Sequence, residues 1–432
     1  MQRRAFLSLA ASAAFARPRR QPNVVVMFAD DLGYGDLSCY GHPAIRTPRL
    51  DRMAAEGVRF TSFYAAASVC TPSRAALLTG RYPLRAGQPN NLGPDSKDGL
   101  PLSEITLAQL LKSYGYRTGA FGKWHLGHQP PYLPVARGFD EFHGLPYSND
   151  MIPPWVQTRT PLRWYRNGEA GEEVKDQSRL TEIATEDAVR FIRESAARPF
   201  FLYVPYSMPH LPVAAAGRFQ GRSAAGLYGD VIETIDWSAG CILDALHETG
   251  AESDTLVLFI SDNGPWHNLP PRMLAGGVEP WHTGSKSLLR GAKGTTYEGG
   301  MRVPAIARWP GVVQPAQVRQ DVCSTLDVFP TAAHLAGAAL PAGRVYDGEN
   351  LMPLLRGGAG PAQRPFYYFQ GKRLEAVRLG PWKFRLAPRE LHHLDRDPAE
   401  MYDVAGREPA VASRLEEQLR SFAKEMGAEL GG

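Results

Sequence analysis

Residues Asn23 to Ala29 (Asn-Val-Val-Val-Met-Phe-Ala) form a short, nearly unbroken apolar run rich in β-branched side chains, and two carboxylates, Asp30 and Asp31, follow it at once. A strand with one wet face would alternate polar and apolar residues. A continuous run of this length instead predicts a strand covered on both faces, as in a parallel sheet packed between helices. Residues 200–204 and 255–261 repeat the pattern, and 58–63, 117–121 and 303–309 are weaker versions of it. Helical periodicity falls between them, at 47–56, 73–79, 106–114, 181–196, 228–249 and 326–336. Strand–helix alternation over roughly 300 residues predicts an α/β fold with a large, mostly parallel or mixed sheet sandwiched by helices.

After the Gly/Pro-rich stretch 356–365 the pattern changes. Short strands are expected at 366–370, 375–379, 382–386 and 391–394, followed by an amphipathic helix at 410–426. This predicts a small α+β lobe with a short antiparallel sheet. The expected organisation is a processing segment at 1–20, a catalytic domain at 21–360 and a C-terminal subdomain at 361–432.

The formal charge of +4 is misleading. Five arginines (Arg3, Arg4, Arg17, Arg19 and Arg20) lie in the first twenty residues, so +4 less 5 leaves −1 for the remainder. No basic stripe with interleaved aromatics is present, which argues against a nucleic-acid partner. Gln2-Arg3-Arg4-Ala5-Phe6-Leu7, a short apolar run and Ala14-Phe15-Ala16 read as a twin-arginine export signal with its cleavage site. That run is too short for a membrane span, and the segment implies a periplasmic or secreted protein. Four cysteines (Cys39, Cys70, Cys241 and Cys323) without a C-x-x-C pair suggest neither a disulfide framework nor a thiolate metal site.

The chemistry gathers in short motifs. Cys70-Thr71-Pro72-Ser73-Arg74 runs into Ala75 to Leu78 and ends at Gly80. It reads as a reactive-residue turn feeding a helix, with Thr71 as cap and Pro72 at the first helical position. The free amides of such a start favour an anion, for which Arg74 is a bidentate partner. Asp30-Asp31 and Asp262-Asn263 each follow a strand, where ligands collect in open α/β sheets. Alone, either pair would be an ordinary acidic turn; together they are hard oxygen ligands suited to Ca²⁺, with Mg²⁺ the weaker option. Lys123 and His125, in Gly-Lys-Trp-His-Leu-Gly, are read as two positions on one side of an extended segment. His210 stands between Pro209 and Pro212, and Lys293 lies in Gly-Ala-Lys-Gly-Thr-Thr-Tyr-Glu-Gly-Gly, whose glycines permit close approach to a ligand.

These motifs resemble the type I sulfatases. The C-x-P-S-R signature is followed by Thr-Gly-Arg, and Ala-Asp-Asp-Leu-Gly-Tyr-Gly-Asp-Leu, Gly-Lys-Trp-His-Leu-Gly and Asp-Asn-Gly-Pro are family-like. The resemblance runs from about Asn23 to the C-terminus, is close to arylsulfatase A and N-acetylgalactosamine-6-sulfatases, and implies an alkaline-phosphatase-like fold. It further implies oxidation of Cys70 to formylglycine by a formylglycine-generating enzyme, and one Ca²⁺ held by Asp30, Asp31, Asp262, Asn263 and the modified Cys70. Arg74, Lys123, His210 and Lys293 would bind the sulfate and stabilise its charge, His125 would act on the formylglycine hydroxyls, and Ser148 would contact the formylglycine or the sulfate. Asp262 would take the proton of the attacking hydroxyl, and His210 or Lys293 would give one to the leaving alcohol. The implied reaction is hydrolysis of a sulfate monoester of a carbohydrate or aryl alcohol. The competing readings are a phosphonate or phosphate ester hydrolase of the same superfamily and a catalytically silent glycan-binding protein. Residues 151–176 and 266–286 align with no shared pattern; Trp266, His267, Trp281 and His282 there are candidates for contacting a sugar. His392 and His393 have no chemical case beyond packing.

Overall fold

The computed structural model describes residues 21–195, 198–360 and 364–431. Residues 1–20, read from sequence as an export signal, and the stretch 361–363, where the domain boundary was expected, lie outside the described residues. Strands β1 (Asn23–Ala29), β2 (Val58–Tyr64), β3 (Arg117–Lys123), β4 (Glu141–Leu145), β5 (Arg163–Arg166), β6 (Glu169–Glu173), β7 (Phe200–Pro205), β8 (Thr255–Ser261), β9 (Arg302–Arg308), β10 (Gln317–Arg319) and β11 (Cys323–Ser324) make one mixed sheet. The order is β10-β2-β9-β8-β1-β7-β3-β4-β5-β6, with β11 also paired to β2.

The unbroken apolar run of β1 is explained by its place near the middle of this sheet, parallel to β7 and β8. Val24, Val26 and Phe28 enter a core shared with helices α2 (Cys70–Thr79), α3 (Leu107–Ser113), α7 (Val328–Leu335) and α8 (Met352–Leu355). Val25, Met27 and Ala29 face the opposite core, built with α1 (Pro48–Ala55), α4 (Leu180–Glu194) and α5 (Gly226–Glu248). Full burial of each larger side chain here contributes about 1.5–3 kcal/mol.

Two features differ from expectation. Strands β4, β5, β6, β10 and β11 were not anticipated; β6 is polar and exposed, β5 is half-buried with an arginine at each end, and β10 and β11 are only three and two residues long, so these four lack the long apolar signature. Strand β9 runs antiparallel to both neighbours, β2 and β8. A buried apolar run reads the same in either direction, so sequence is blind to this reversal.

The C-terminal part is a second sheet, β12 (Phe366–Gln370), β13 (Arg373–Leu379), β14 (Trp382–Arg385) and β15 (Glu390–His393), antiparallel in sequential order. A short β16 (Glu429–Leu430) joins β13 in parallel, and α9 (Pro409–Met426) packs on the sheet. Its core is not private: Phe366, Tyr368, Leu391 and Leu415 share a cluster with Tyr64, Ala76, Tyr82 and Met301 of the larger part. Among the described residues, no helix is long and apolar enough to cross a membrane.

Candidate active site

Strands β8, β1, β7, β3 and β4 are adjacent and mutually parallel, so their carboxyl ends share one edge of the sheet. Asp30 and Asp31 leave β1 there, Lys123 ends β3, Asp262 and Asn263 leave β8, and Ser148 and His210 follow β4 and β7. The reversal of β9 brings the segment preceding it, and with it Lys293, to the same edge. The double reversal through β9 restores β2 to the direction of β8, so Cys70, after β2, arrives there too.

The start of α2 differs from expectation. Val69, in extended backbone without a side-chain cap, is the N-cap, and Cys70 is the first helical residue. Thr71 is therefore already inside the first turn, where its amide donates to Asn91 Oδ1 (2.9 Å) and its hydroxyl accepts from the Leu92 amide. Loop residue Asn91 thus replaces the expected cap, a role that nothing in its local sequence signals. The helix ends at Gly80 in the left-handed region (φ 67°).

The residues brought together are almost all buried. Cys70 Sγ lies 3.3 Å from Asp30 Oδ1 and 3.5 Å from Lys293 Nζ. Lys123 Nζ donates to Asp30 Oδ2 (2.5 Å) and to Ser148 Oγ (3.1 Å). Lys293 Nζ donates to Asp31 Oδ2 at 2.7 Å. Arg74 pairs with both Asp30 (3.2 Å) and Asp262 (3.0 Å) and donates to the Lys123 carbonyl (2.9 Å). Asp262 Oδ1 accepts from the Asp31 amide, which fixes Asp31 at φ 63°. A non-glycine residue held there is strained by about 1–3 kcal/mol, as occurs at functional sites.

His125 is reached by a turn, not by strand alternation. β3 stops at Lys123, and His125 sits beyond it at φ 56°. Its Nε2 meets the Leu92 carbonyl at 2.9 Å, so that nitrogen carries the hydrogen, and buried Nδ1 is an acceptor with no partner among the described residues. His210 has the opposite tautomer: Nδ1 donates to the Leu211 carbonyl (2.6 Å), and Nε2 lies 3.7 Å from Asp31. Trp266 borders the site, its ring 5.6 Å from that of His210 and 4.6 Å from Lys293 Nζ.

Burial and charge set the protonation states. Burial opposes ionisation of Asp30, yet Lys123, Arg74, His210 and Lys293 together hold it well below the ordinary carboxylate range. Asp262 is pushed up to about 7 by burial and by Asp30, against the pull of Arg74. Burial, then Asp30, drive the Cys70 thiol well up despite Lys123 and Lys293, so an unmodified Cys70 is protonated at neutral pH and a poor nucleophile. Burial, then Lys123, depress His125, which is a neutral acceptor near pH 7. Lys293 is raised: burial works against its charge, but Asp31, Cys70 and Asp30 outweigh it.

The oxygen ligands fit a hard divalent cation. Asn263 Oδ1 is a buried acceptor without a partner among the described residues, while its Nδ2 donates to Asp31 Oδ1 at 2.7 Å. Ligating atoms of Asp30, Asp31, Cys70 and His210 lie within 4.8 Å of one another. His210, read from sequence as a sulfate ligand and candidate proton donor but not as a metal ligand, therefore also borders this ligand group, whereas Asp262 is tied to Arg74 and the Asp31 amide.

Known proteins settle what this arrangement belongs to. Residues 22–338 match the Sulfatase family, and 292–425 match the family described as N-sulphoglucosamine sulphohydrolase, C-terminal. The chain belongs to the sulfatase family. Arylsulfatase A of Homo sapiens is 40% identical over 95% of this chain and 89% of its own length. N-acetylgalactosamine-6-sulfatase of Rattus norvegicus is 42% identical over 84% of this chain and 71% of its own length. The crystal structure of PsFucS1 sulfatase from Pseudoalteromonas sp. superposes with a TM-score of 0.84 at 28% identity, covering 94% of this chain and 91% of that one. The protein is a sulfuric ester hydrolase whose large sheet has the sulfatase/alkaline-phosphatase-like fold.

Proposed function

We propose that this sulfatase hydrolyses sulfate monoesters of carbohydrates, and aryl sulfates as model substrates, at a formylglycine derived from Cys70. The observation that carries the reading is the convergence of Arg74, Lys123, His210 and Lys293 on the buried start of α2 around Cys70. A sulfate monoester anion repels nucleophiles, and cations fixed in a dry site lower that barrier without reorganising. The similarity to arylsulfatase A and to N-acetylgalactosamine-6-sulfatase supports the substrate class.

Asp30, Asp31, Asp262, Asn263 and the modified Cys70 would hold Ca²⁺, which when bound supplies a positive charge that offsets sulfate oxygens. Formylglycine, as its hydrate, supplies a hydroxyl for attack on sulfur and a second through which sulfate can be released. Arg74, Lys123 and Lys293 hold and neutralise the sulfate oxygens, and Ser148, 3.1 Å from Lys123 Nζ, helps fix that lysine. Asp262, held by Arg74 and the Asp31 amide, takes the proton of the attacking hydroxyl. His125 accepts the proton of the second hydroxyl at its free Nδ1. The proton for the departing alcohol comes from His210 or Lys293, both of which border Asp31. Arg3 and Arg4 support twin-arginine export and a periplasmic or secreted location.

The test compares the wild-type chain with Cys70→Ala, both produced alongside a formylglycine-generating enzyme, on a chromogenic sulfate, the matching phosphonate ester and defined sulfated monosaccharides. Turnover of sulfates that vanishes in the variant, with folding intact, is expected. Appreciable residual hydrolysis, or faster turnover of the phosphonate, would sink the reading.

A further inference from the structure

Lys293 rides on a turn that its own sequence leaves loose. Gly291 and Gly294 flank it, both in the left-handed region (φ 75° and 81°), and glycines carry a high entropic cost of ordering. The larger part of the molecule restrains this turn through two backbone hydrogen bonds, Lys293 amide to Pro265 carbonyl and Gly294 amide to Ser68 carbonyl, both 2.9 Å. Most of the remaining grip comes from the C-terminal sheet. Gln370 Nε2 on β12 donates to the Gly294 carbonyl at 2.7 Å. Buried Thr296 donates from Oγ1 to Glu375 on β13 (2.5 Å) and accepts from Arg385 on β14, which itself pairs with Glu375 at 3.1 Å. Lys383 Nζ, also on β14, donates to the Thr296 carbonyl at 3.0 Å. The Tyr297 ring meets two guanidiniums, those of Arg290 and Arg385, each about 4 Å from its centre. Glu400 accepts from the Glu298 amide at 2.7 Å.

We propose that the C-terminal sheet is a positioning clamp for the sulfate-binding lysine, with Thr296, Glu375, Arg385 and Gln370 acting on catalysis through Lys293. The proposal rests on the reading of Lys293 given above. None of the four touches Cys70 or the acidic cluster in the described contacts; they hold the turn just after the lysine, at Gly294 and Thr296, so that Nζ reaches Asp31 and Cys70 at 2.7 and 3.5 Å. Lys293 binds the sulfate group common to every ester, so loosening the clamp weakens the binding of inorganic sulfate itself. A part that served folding alone would lower stability and leave sulfate affinity untouched.

The decisive variant is Thr296→Val, which keeps the shape and removes both side-chain hydrogen bonds, with Thr296→Ser as the conservative rescue. Inorganic sulfate is titrated into each mature, metal-loaded protein by calorimetry, and kcat/KM is measured for sulfates of two unlike alcohols. Sulfate binding by Thr296→Val should weaken roughly tenfold, the lower end of what supporting partners around a site typically contribute. Its kcat/KM should fall for both esters, and Thr296→Ser should stay near wild type. Gln370→Leu, at a half-buried edge, gives a smaller loss of the same kind and stands in if the valine variant does not fold. Unchanged sulfate affinity in the folded variants, or an unchanged kcat/KM for either ester, overturns the clamp. A wild-type chain that turns over no sulfate ester overturns the reading of Lys293 itself, and the clamp with it.

Discussion

Replacing Glu298 by glutamine tests how strongly the two sheets are joined. Glu298 opens the short helix α6 (Glu298–Met301) and is fully buried. Its carboxylate accepts from Tyr64 (2.6 Å), Tyr368 (3.0 Å) and Lys383 (3.0 Å), with Arg302 at 3.6 Å. Tyr64 and Arg302 belong to the large sheet and Tyr368 and Lys383 to the small one. Burial opposes its ionisation, but Lys383, Arg378 and Arg302 overcome that and lower it from 4.5 to about 2. A depression of that size corresponds to roughly 3 kcal/mol of folding stability. The carboxylate is the favoured form in the folded state, so this stability is fully present above pH 4.5 and drains away as pH falls towards 2. In Glu298→Gln, Lys383 keeps Glu400 at 2.8 Å but Arg302 and Arg378 lose a buried counter-charge, so the loss stays at the low end of the about 3–5 kcal/mol typical of a broken buried pair. Urea unfolding at pH 7, 5.5, 4.5 and 3.5 should therefore show the variant less stable by about 3 kcal/mol at neutral pH, with the gap narrowing by roughly 1 kcal/mol at pH 3.5. Tyr368→Phe, losing one hydrogen bond to a charge, should cost about 1.5–3 kcal/mol. A glutamine variant as stable as the wild type, or a gap that does not change with pH, would refute the reasoning.

Three further outcomes follow from the site. Chelation should suppress turnover, and added Ca²⁺ should restore it; Asn263→Ala, which removes the unpartnered Oδ1, should weaken metal binding about 10–100-fold as read by the Ca²⁺ needed for half-restoration. Indifference to chelation would dismiss the metal site. Lys293→Met should lower kcat/KM by about 10²–10³ while leaving the urea midpoint near wild type, since it deletes one cation aimed at developing charge; a loss below tenfold would remove Lys293 from the reaction. With His125 depressed below its usual 6.5 by burial and Lys123, the acidic limb of kcat that it governs should lie below pH 6.5. His125→Ala should lose that limb along with most of the rate, and an unaltered profile would assign the limb to another group.

Much of this protein is determined by local sequence. A continuous β-branched run can only be satisfied with both faces covered, so the central strands and the helices between them are legible from residues 23–29, 200–204 and 255–261 alone. Acidic residues directly after such runs stand at strand ends because the chain has nowhere else to put them, which is why Asp30, Asp31, Asp262 and Asn263 could be singled out. What tertiary structure alone decides is everything that depends on direction and on distant partners. The reversal of β9 delivers Lys293 to the edge where Cys70 already lies, and apolar patterning carries no information on strand polarity. The amide of Thr71 is held by Asn91 and the tautomer of His125 by the Leu92 carbonyl, contacts from a loop without a signature. The C-terminal sheet looked like a separate lobe because its strands pair with one another in sequence order. Its hold on the Lys293 turn, through Gln370, Glu375, Lys383 and Arg385, exists only across some 75 to 90 residues of intervening chain, and such pairings are fixed by packing rather than by any local preference.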